Sequence, residues 1–476
     1  MQKILITLLC FVLFLPGVKA QDANYWSSGY NPAGYLTPGA VISFNRDSGV
    51  MFYNPALLAY NQKNSASISG NIYQYSNVKI RNGAGTGLNL NSTSASIIPQ
   101  MASAIISMKG KHPFTVGYAL THNPAMSFQA SQQRDAKFNV LDDSYSPGDE
   151  YFLGQYKKQN IINETGALIS GGFKASDKLA VGISAEGQIR MQNFISDYSS
   201  RALWNTGNAD NLPPYTNVEE SYLATYYHIG LKFKAGLAYD VGKHHLGLTI
   251  TSPLLHIAGS ASILSDNVIS NLRLVDTLNL LANSRQQSLK ASYKIPLSTG
   301  FGYSYDLQNG QISFTCEYFK KVNEYNMITP RNVNSIIGDE IPGVNSSSYL
   351  RLKDARAAVF NFGVAGSYLL IPDITGFLSL HTDFNYAKNS LYKDTEGYKG
   401  NVGYYNIYHC QVGANIKKRK FNFRTGLLLS YGSTNNYMQY INFDHPNEGN
   451  ILSGNPLNTK ASYLAVGLML SYIHNL

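Results

Sequence analysis

From about residue 65 onward the chain alternates in hydrophobicity. In 179–191, Leu179, Val181, Ile183, Ala185, Ile189 and Met191 occupy alternate positions, and Ala180, Gly182, Ser184, Glu186, Gln188 and Arg190 lie between them. In 227–239, Tyr227, Ile229, Leu231, Phe233, Leu237 and Tyr239 alternate in the same way with His228, Gly230, Lys232, Lys234, Gly236 and Ala238. A two-residue period puts the two sets on opposite faces of a strand, one face apolar and the other small or polar. Repeated along the chain, the pattern predicts about fourteen strands. They lie near 65–80, 91–108, 113–128, 164–175, 178–196, 221–240, 242–252, 285–305, 310–327, 350–369, 374–389, 401–417, 420–437 and 460–473.

The spacing of these strands decides their arrangement. Short connections at 109–112, 175–178, 240–244, 306–310, 371–373 and 417–420 alternate with long ones at 81–90, 129–163, 197–220, 253–284, 328–349, 390–400 and 438–459. A soluble β-sandwich also alternates, but it points its apolar residues into a shared core. Tight turns at one end and long loops at the other are the signature of an outer-membrane barrel with an even number of strands. Closure pairs every backbone group without water, which is what lipid requires. Tyrosines near strand ends, such as Tyr73, Tyr226, Tyr303 and Tyr404, suit aromatic girdles. In the last strand Leu464, Val466, Leu468, Leu470 and Tyr472 share a face, although the chain ends on Leu476 where an assembly signal usually carries an aromatic residue. The expected fold is all-β: a transmembrane antiparallel barrel over 65–476 with an N-terminal hatch.

What precedes the strands explains the hatch. Residues 1–20 carry Lys3, an apolar run from Ile4 to Leu15 and a small residue, Ala20, as a signal peptide requires. Cys10 lies inside that apolar run, which argues against a lipoprotein site. The mature chain is therefore expected to begin at Gln21. Within 21–64, Asn54 is a good helix N-cap, Pro55 suits the first helical position, and Ala56 to Tyr60 are enough for one short turn. A segment that enters a barrel from the side of the tight turns can fold into its lumen.

Composition narrows the function. The 476 residues include 35 Tyr, 21 Phe and 41 Gly, and only 14% are charged, which favours strands over helices. Beyond the leader no run of about 18 apolar residues is present, so no transmembrane helix is expected. Cys316 and Cys410 are too few for a disulfide scaffold and fall on strands as inert thiols. The net charge of +9, about +7 without Lys3 and Lys19, makes outer-membrane lipid and lipopolysaccharide suitable partners. Nucleic acid is not an expected partner, since no basic helix exists and the run at 417–420 reads as a solvated turn. Gly-x-Ser-x-Gly, His-Glu-x-x-His and Cys-x-x-Cys motifs are missing, and His244 and His245 fall in a tight turn, so neither an enzyme nor a cofactor or metal is expected.

Phe52-Tyr53-Asn54-Pro55-Ala56-Leu57, together with Lys234-Ala-Gly-Leu-Ala-Tyr-Asp240 and Leu246-Gly-Leu-Thr-Ile-Thr-Ser-Pro253, resembles the FadL-type outer-membrane transporters of long-chain fatty acids and other hydrophobic compounds. The resemblance spans nearly the whole mature chain through short motifs. It implies a lumen closed by a hatch, an outer hydrophobic groove, an inner ligand pocket and lateral exit at a kinked strand. The hatch is expected over 21–64, centred on Asn54, Pro55 and Ala56. Asn123 and Pro124 are the kink candidates, because proline cannot donate to a strand ladder. Leu264, Val268, Leu272, Val275 and Leu278 recur at helical spacing behind Ser265, so an amphipathic helix lining an extracellular groove is expected there.

Parity turns Glu186, Arg190, Lys232, Lys234, Lys290, Lys294, Glu317, His381, Asp383, His409 and Arg424 into the lumen. Arg190, Lys232 and Arg424 are the candidate anchors for a ligand carboxylate. The expected function is passive uptake of long-chain fatty acids or aromatic hydrocarbons by a monomer that the barrel assembly machinery inserts. The alternatives are a barrel of the same type acting as a scaffold or shuttle in protein secretion, and a general polar porin.

Overall fold

The computed structural model describes residues 24–26, 41–44, 49–61, 63–108, 110, 113–206, 213–274, 277–333, 336–337, 346–387 and 396–476. The expected signal peptide and much of the expected hatch lie outside these residues. The first six wall strands are β1 (Ser65–Ile80), β2 (Leu90–Met108), β3 (Phe114–Phe138), β4 (Glu150–Lys174), β5 (Leu179–Leu203) and β6 (Tyr215–Val241). The next four are each built from two pieces: β7 (His244–Thr251) with β8 (Leu255–Arg273), β9 (Thr277–Ala291) with β10 (Ser298–Asp306), β11 (Gly310–Phe319) with β12 (Val322–Thr329), and, after the two-residue β13 (Ile336–Ile337), β14 (Leu352–Arg356) with β15 (Val359–Ile371). β16 (Ile374–Asp383), the short β17 (Tyr398–Lys399), β18 (Ile407–Lys417), β19 (Phe421–Met438) and β20 (Asn458–Asn475) follow.

β20 returns to β1 in antiparallel register from Ser65 opposite Asn475 to Ile80 opposite Ala461, closing a barrel of 14 wall strands. Closure removes both sheet edges. The alternation read from the sequence is the radial direction of the wall. Ile169, Ile183, Leu237, Ile250, Val364, Val412 and Leu427 are exposed on the outside, while Ser170, Ser184, Gln188, Thr249, Asn361 and Gln411 are buried within. A soluble fold would place these sets the other way round, so the outer face is one suited to lipid. Leu464, Val466 and Tyr472 of β20 are exposed on that face.

Two of the expected long links, 129–163 and 253–284, are mostly strand. β3 continues to Phe138, β4 starts at Glu150, and β8 and β9 fill most of 253–284. A strand tilted through lipid needs only about 9–11 residues, so these strands stand well above it. There the outer face meets water, the apolar alternation fades, and the sequence reads as loop.

The groove helix is likewise absent. Leu264, Val268 and Leu272 lie on β8 and Leu278 on β9, while Val275 lies outside the described residues. Leu264, Val268 and Leu272 recur every four residues, a spacing that returns to the same face of a strand as readily as to one side of a helix. Pairing with β6 from Asn217 to Leu231 settled the ambiguity in favour of the strand. Irregular pairing near Asn271 (φ 57°) then turns Leu272 inward, fully buried, opposite Leu278. Lys290 and Lys294 are a second correction to parity. The bulge at Ser288 (φ 53°) reverses the alternation, so Leu289 and Ala291 are buried and both lysines are exposed.

Candidate functional site

Inside the tight-turn end of the barrel, Val50–Tyr53 make one turn of α-helix and Pro55–Tyr60 a 3-10 helix. Asn54 between them is wholly buried. Its Oδ1 accepts from the Ala56 amide (3.1 Å), and its Nδ2 donates to the Ile42 carbonyl (2.7 Å) and to the Leu237 carbonyl of the wall (3.0 Å). A residue expected to cap a helix therefore also pins the segment to β6. Ser170 and Ser184 donate to the Met51 carbonyl (3.3 and 2.9 Å), and Ser43 and Ser304 share a hydrogen bond of 2.6 Å.

The small residues of the inner face make room for this segment. A Cβ on Gly172 or Gly182 would run into the backbone of Pro55, one on Gly236 into Asn54, and one on Gly247 into Ile42. Close backbone approach is a reason for glycine in a strand. Val50, Met51, Ala56, Leu57 and Leu58 then pack on Met101, Ile105, Ala119, Leu168, Ala180 and Ala238 of the wall.

Above the segment lies a cavity of about 210 Å³. Its apolar lining includes Ile42, Phe52, Ile162, Tyr293, Ile295, Phe319 and Leu428. Asn24, Tyr25 and Trp26 from the N-terminal segment also line it. Tyr25 stacks on Phe319 at 4.1 Å, its amide and that of Trp26 donate to Asp383 Oδ1, and the Trp26 indole donates to Glu317 (2.8 Å). On the extracellular side, Tyr398 stacks on Tyr222 at 3.6 Å, and Tyr405, Phe443 and Leu452 are fully buried within the large core of the upper lumen.

Two of the three expected anchors meet in the cavity. Arg190 pairs with Glu164 (2.5 Å) and lies over the Tyr293 ring at 4.0 Å, and Lys232 pairs with Glu186 (3.1 Å). Arg424 is bonded to Asn415 (3.1 Å) close to the β18–β19 turn and is not part of the cavity lining. The cation that the sequence turned inward without marking it as an anchor is Lys234, two residues from Lys232 on the same face. Among the described residues it makes no ion pair. Its Nζ donates to the Phe52 carbonyl (2.5 Å) and lies 5.1 Å from the Phe52 ring. Arg356 was missed; it pairs with Asp354 (3.0 Å) and lies over Tyr386 at 4.4 Å. The N-terminal aromatics had no signal in the sequence, since contacts across hundreds of residues leave no local pattern. Gln188 Oε1 and His409 Nε2 are buried in the lining without a hydrogen-bond partner among the described residues.

The cavity reaches the wall at Asn123 and Ala125. Here β3 is irregular: its register with β4 shifts between Asn123 and Met126, around Pro124. On the other side, the β2–β3 ladder ends at Met101 opposite Thr121, although both strands continue. β2 and β3 meet again higher up, where the Gln129 amide donates to Ser92 (2.9 Å) and Gln132 to the Asn89 carbonyl (2.6 Å). Between these points the wall lacks ladder bonds. Asn123 Nδ2 donates to Glu164 (3.3 Å), which ties this place to Arg190.

No family model and no curated protein matches the chain in sequence. Solved structures match in fold. A FadL homologue of Pseudomonas aeruginosa shares 12% identity over 97% of this chain and 100% of its own, with a TM-score of 0.57. The toluene transporter TodX of Pseudomonas putida shares 12% identity over 96% and 100%, with a TM-score of 0.56. The toluene transporter TbuX of Ralstonia pickettii shares 12% identity over 94% and 98%, with a TM-score of 0.53. The likeness at this identity is one of architecture: the chain has the fold of the FadL-type outer-membrane β-barrels.

Proposed function

We propose that the chain is a passive outer-membrane channel for hydrophobic molecules with a polar end, long-chain fatty acids foremost, closed by the segment 21–64 and opening sideways between β2 and β3. The observation that carries this reading is the half-apolar cavity that reaches the wall at Asn123 and Ala125, where the β2–β3 ladder stops. A volume of about 210 Å³ exceeds the ~150 Å³ of an apolar cavity known to accept benzene. The folds of a FadL homologue and two toluene transporters support a hydrophobic cargo.

The polar lining favours a fatty acid over a plain hydrocarbon. Arg190 and Lys232 are already neutralised by carboxylates, whereas Lys234, among the described residues, makes no ion pair and is held by the carbonyl and ring of Phe52. A ligand carboxylate is a stronger acceptor than that carbonyl. Its binding to Lys234 releases Phe52, which biases the hatch towards an open state by differential affinity and without chemical energy. The alkyl tail then leaves past Ala125 into the lipid.

Uptake of labelled oleate and toluene by cells tests the reading. Ala125→Trp, which fills the side passage, should abolish uptake of both. Lys234→Gln should lower oleate uptake ~10-fold, the effect of about 1.4 kcal/mol, and leave toluene unchanged. Equal oleate uptake with and without the gene would overturn the proposal.

A further inference from the structure

We propose that the outer wall over β8, β9 and β12 binds a phosphorylated glycolipid of the outer leaflet, with its phosphates on Lys290, Lys294, Lys320 and Lys321. All four side chains are exposed, and none makes an ion pair among the described residues. The fold draws Lys294, Lys320 and Lys321 to one junction and places Lys290 above them on β9, opposite Thr329 of β12. The Lys320 amide donates to the Leu297 carbonyl (3.0 Å), the Lys294 amide donates to the Tyr325 hydroxyl (3.1 Å), and Lys294 Nζ lies over the Tyr325 ring at 4.6 Å. Glu324, the acid beyond Lys321, faces Lys353 (3.7 Å) and does not neutralise the group.

Height on the barrel points to lipid. Below Lys294 the same two wall strands, β9 with β10 and β11 with β12, expose Leu297, Phe301, Ile312, Phe314 and Tyr318. Lys294 lies twelve positions from Asp306 at the tight turn, which on tilted strands is roughly the 25 Å height of an apolar band. The positive charge therefore stands where hydrocarbon gives way to headgroups. Amphipathic lysine stems suit that boundary.

Beside the lysines is a groove of about 540 Å³ that includes Thr225, Ser260, Ser262, Gln287 and Ser288, with Met191 among its apolar residues. Ser260 stands directly opposite Lys290 in the β8–β9 register, and the bulge at Ser288 turns Lys290 outward. Hydroxyl and amide groups can bond sugar hydroxyls, the apolar residues below take acyl chains, and the lysines meet the phosphates. A diphosphorylated, acylated sugar matches all three, whereas a zwitterionic phospholipid lacks the sugar and the net charge. This inference is independent of what the cavity carries.

Native mass spectrometry of the purified full chain, mixed with diphosphoryl lipid A, monophosphoryl lipid A or phosphatidylethanolamine, tests the assignment. The wild type should retain diphosphoryl lipid A at least ~10-fold better than phosphatidylethanolamine, with monophosphoryl lipid A between them and the preference shrinking with salt. The combined variant Lys290→Gln, Lys294→Gln, Lys320→Gln and Lys321→Gln should lose the preference while keeping the heat-modifiable gel mobility of a folded barrel. A second variant, Lys417→Gln, Lys418→Gln and Lys420→Gln at a tight turn, should keep it. Retention unchanged in the first variant, equal loss in the second, or no preference in the wild type would overturn the proposal.

Discussion

Asn54 shows how much one side chain can decide. Its amide joins three places: the following turn through Ala56, the preceding segment through Ile42, and the wall through Leu237. Replacing it with alanine leaves the Ile42 and Leu237 carbonyls without this donor in a dry site, a cost of about 1–3 kcal/mol for each group left unsatisfied. Asn54→Ala should therefore loosen the hatch and leave the barrel intact, measurable as faster proteolysis within 41–61 at unchanged thermal unfolding of the strands. Gly182 carries the converse lesson. A side chain there collides with the Pro55 and Ala56 backbone, so Gly182→Leu should displace the hatch and raise permeability to small solutes, read as faster swelling of proteoliposomes in sugars.

At the scale of elements, β3 is the informative strand. Proline is confined to edges and bulges because it has no N–H for a ladder, and Pro124 stands where β3 has lost β2 on one side and shifted register against β4 on the other. The sequence offered Asn123 and Pro124 as kink candidates, and the register against β4 shifts between Asn123 and Met126. The sequence did not reveal that the neighbouring ladder ends at Met101 and Thr121, because strand pairing is not a local property. Pro124→Val restores a donor and a β-branched residue. It should extend the β2–β3 ladder, with slower hydrogen exchange over 97–101 and 121–125 and lower oleate uptake. Unchanged exchange with lowered uptake would place the effect elsewhere.

For the whole molecule, the segment around Val50–Tyr60 contributes packing to one end of the lumen and the barrel stands on a closed ladder. β1 and β20 pair from Ser65 to Ile80, and the bond that extends this seam, from the Leu476 amide to the Asn64 carbonyl (2.9 Å), lies outside 21–60. Deleting 21–60 should consequently give a chain that still inserts and migrates as a folded barrel. The same deletion uncovers Met101, Ile105 and Leu168 in the lumen and should admit small solutes. A tight, non-leaking deletion variant would remove the plug from this account.

The sequence alone determined the strands and their number, because each depends on a short-range signal: a two-residue period or connection length. The capping chemistry of Asn54 and Pro55 was legible in the same way. Only the tertiary structure decided which lumen charges stand together, since Arg190, Lys232 and Lys234 share a cavity while Arg424, of the same parity, sits near a turn. It also decided where parity fails. Single-residue bulges at Ser288 and near Asn271 reverse the faces of Lys290 and Leu272, and a bulge is set by the register of the partner strand. The helix expected at 263–282 failed for the same reason: a four-residue spacing fits either element, and the long ladder with β6 supplied the hydrogen bonds that made it a strand.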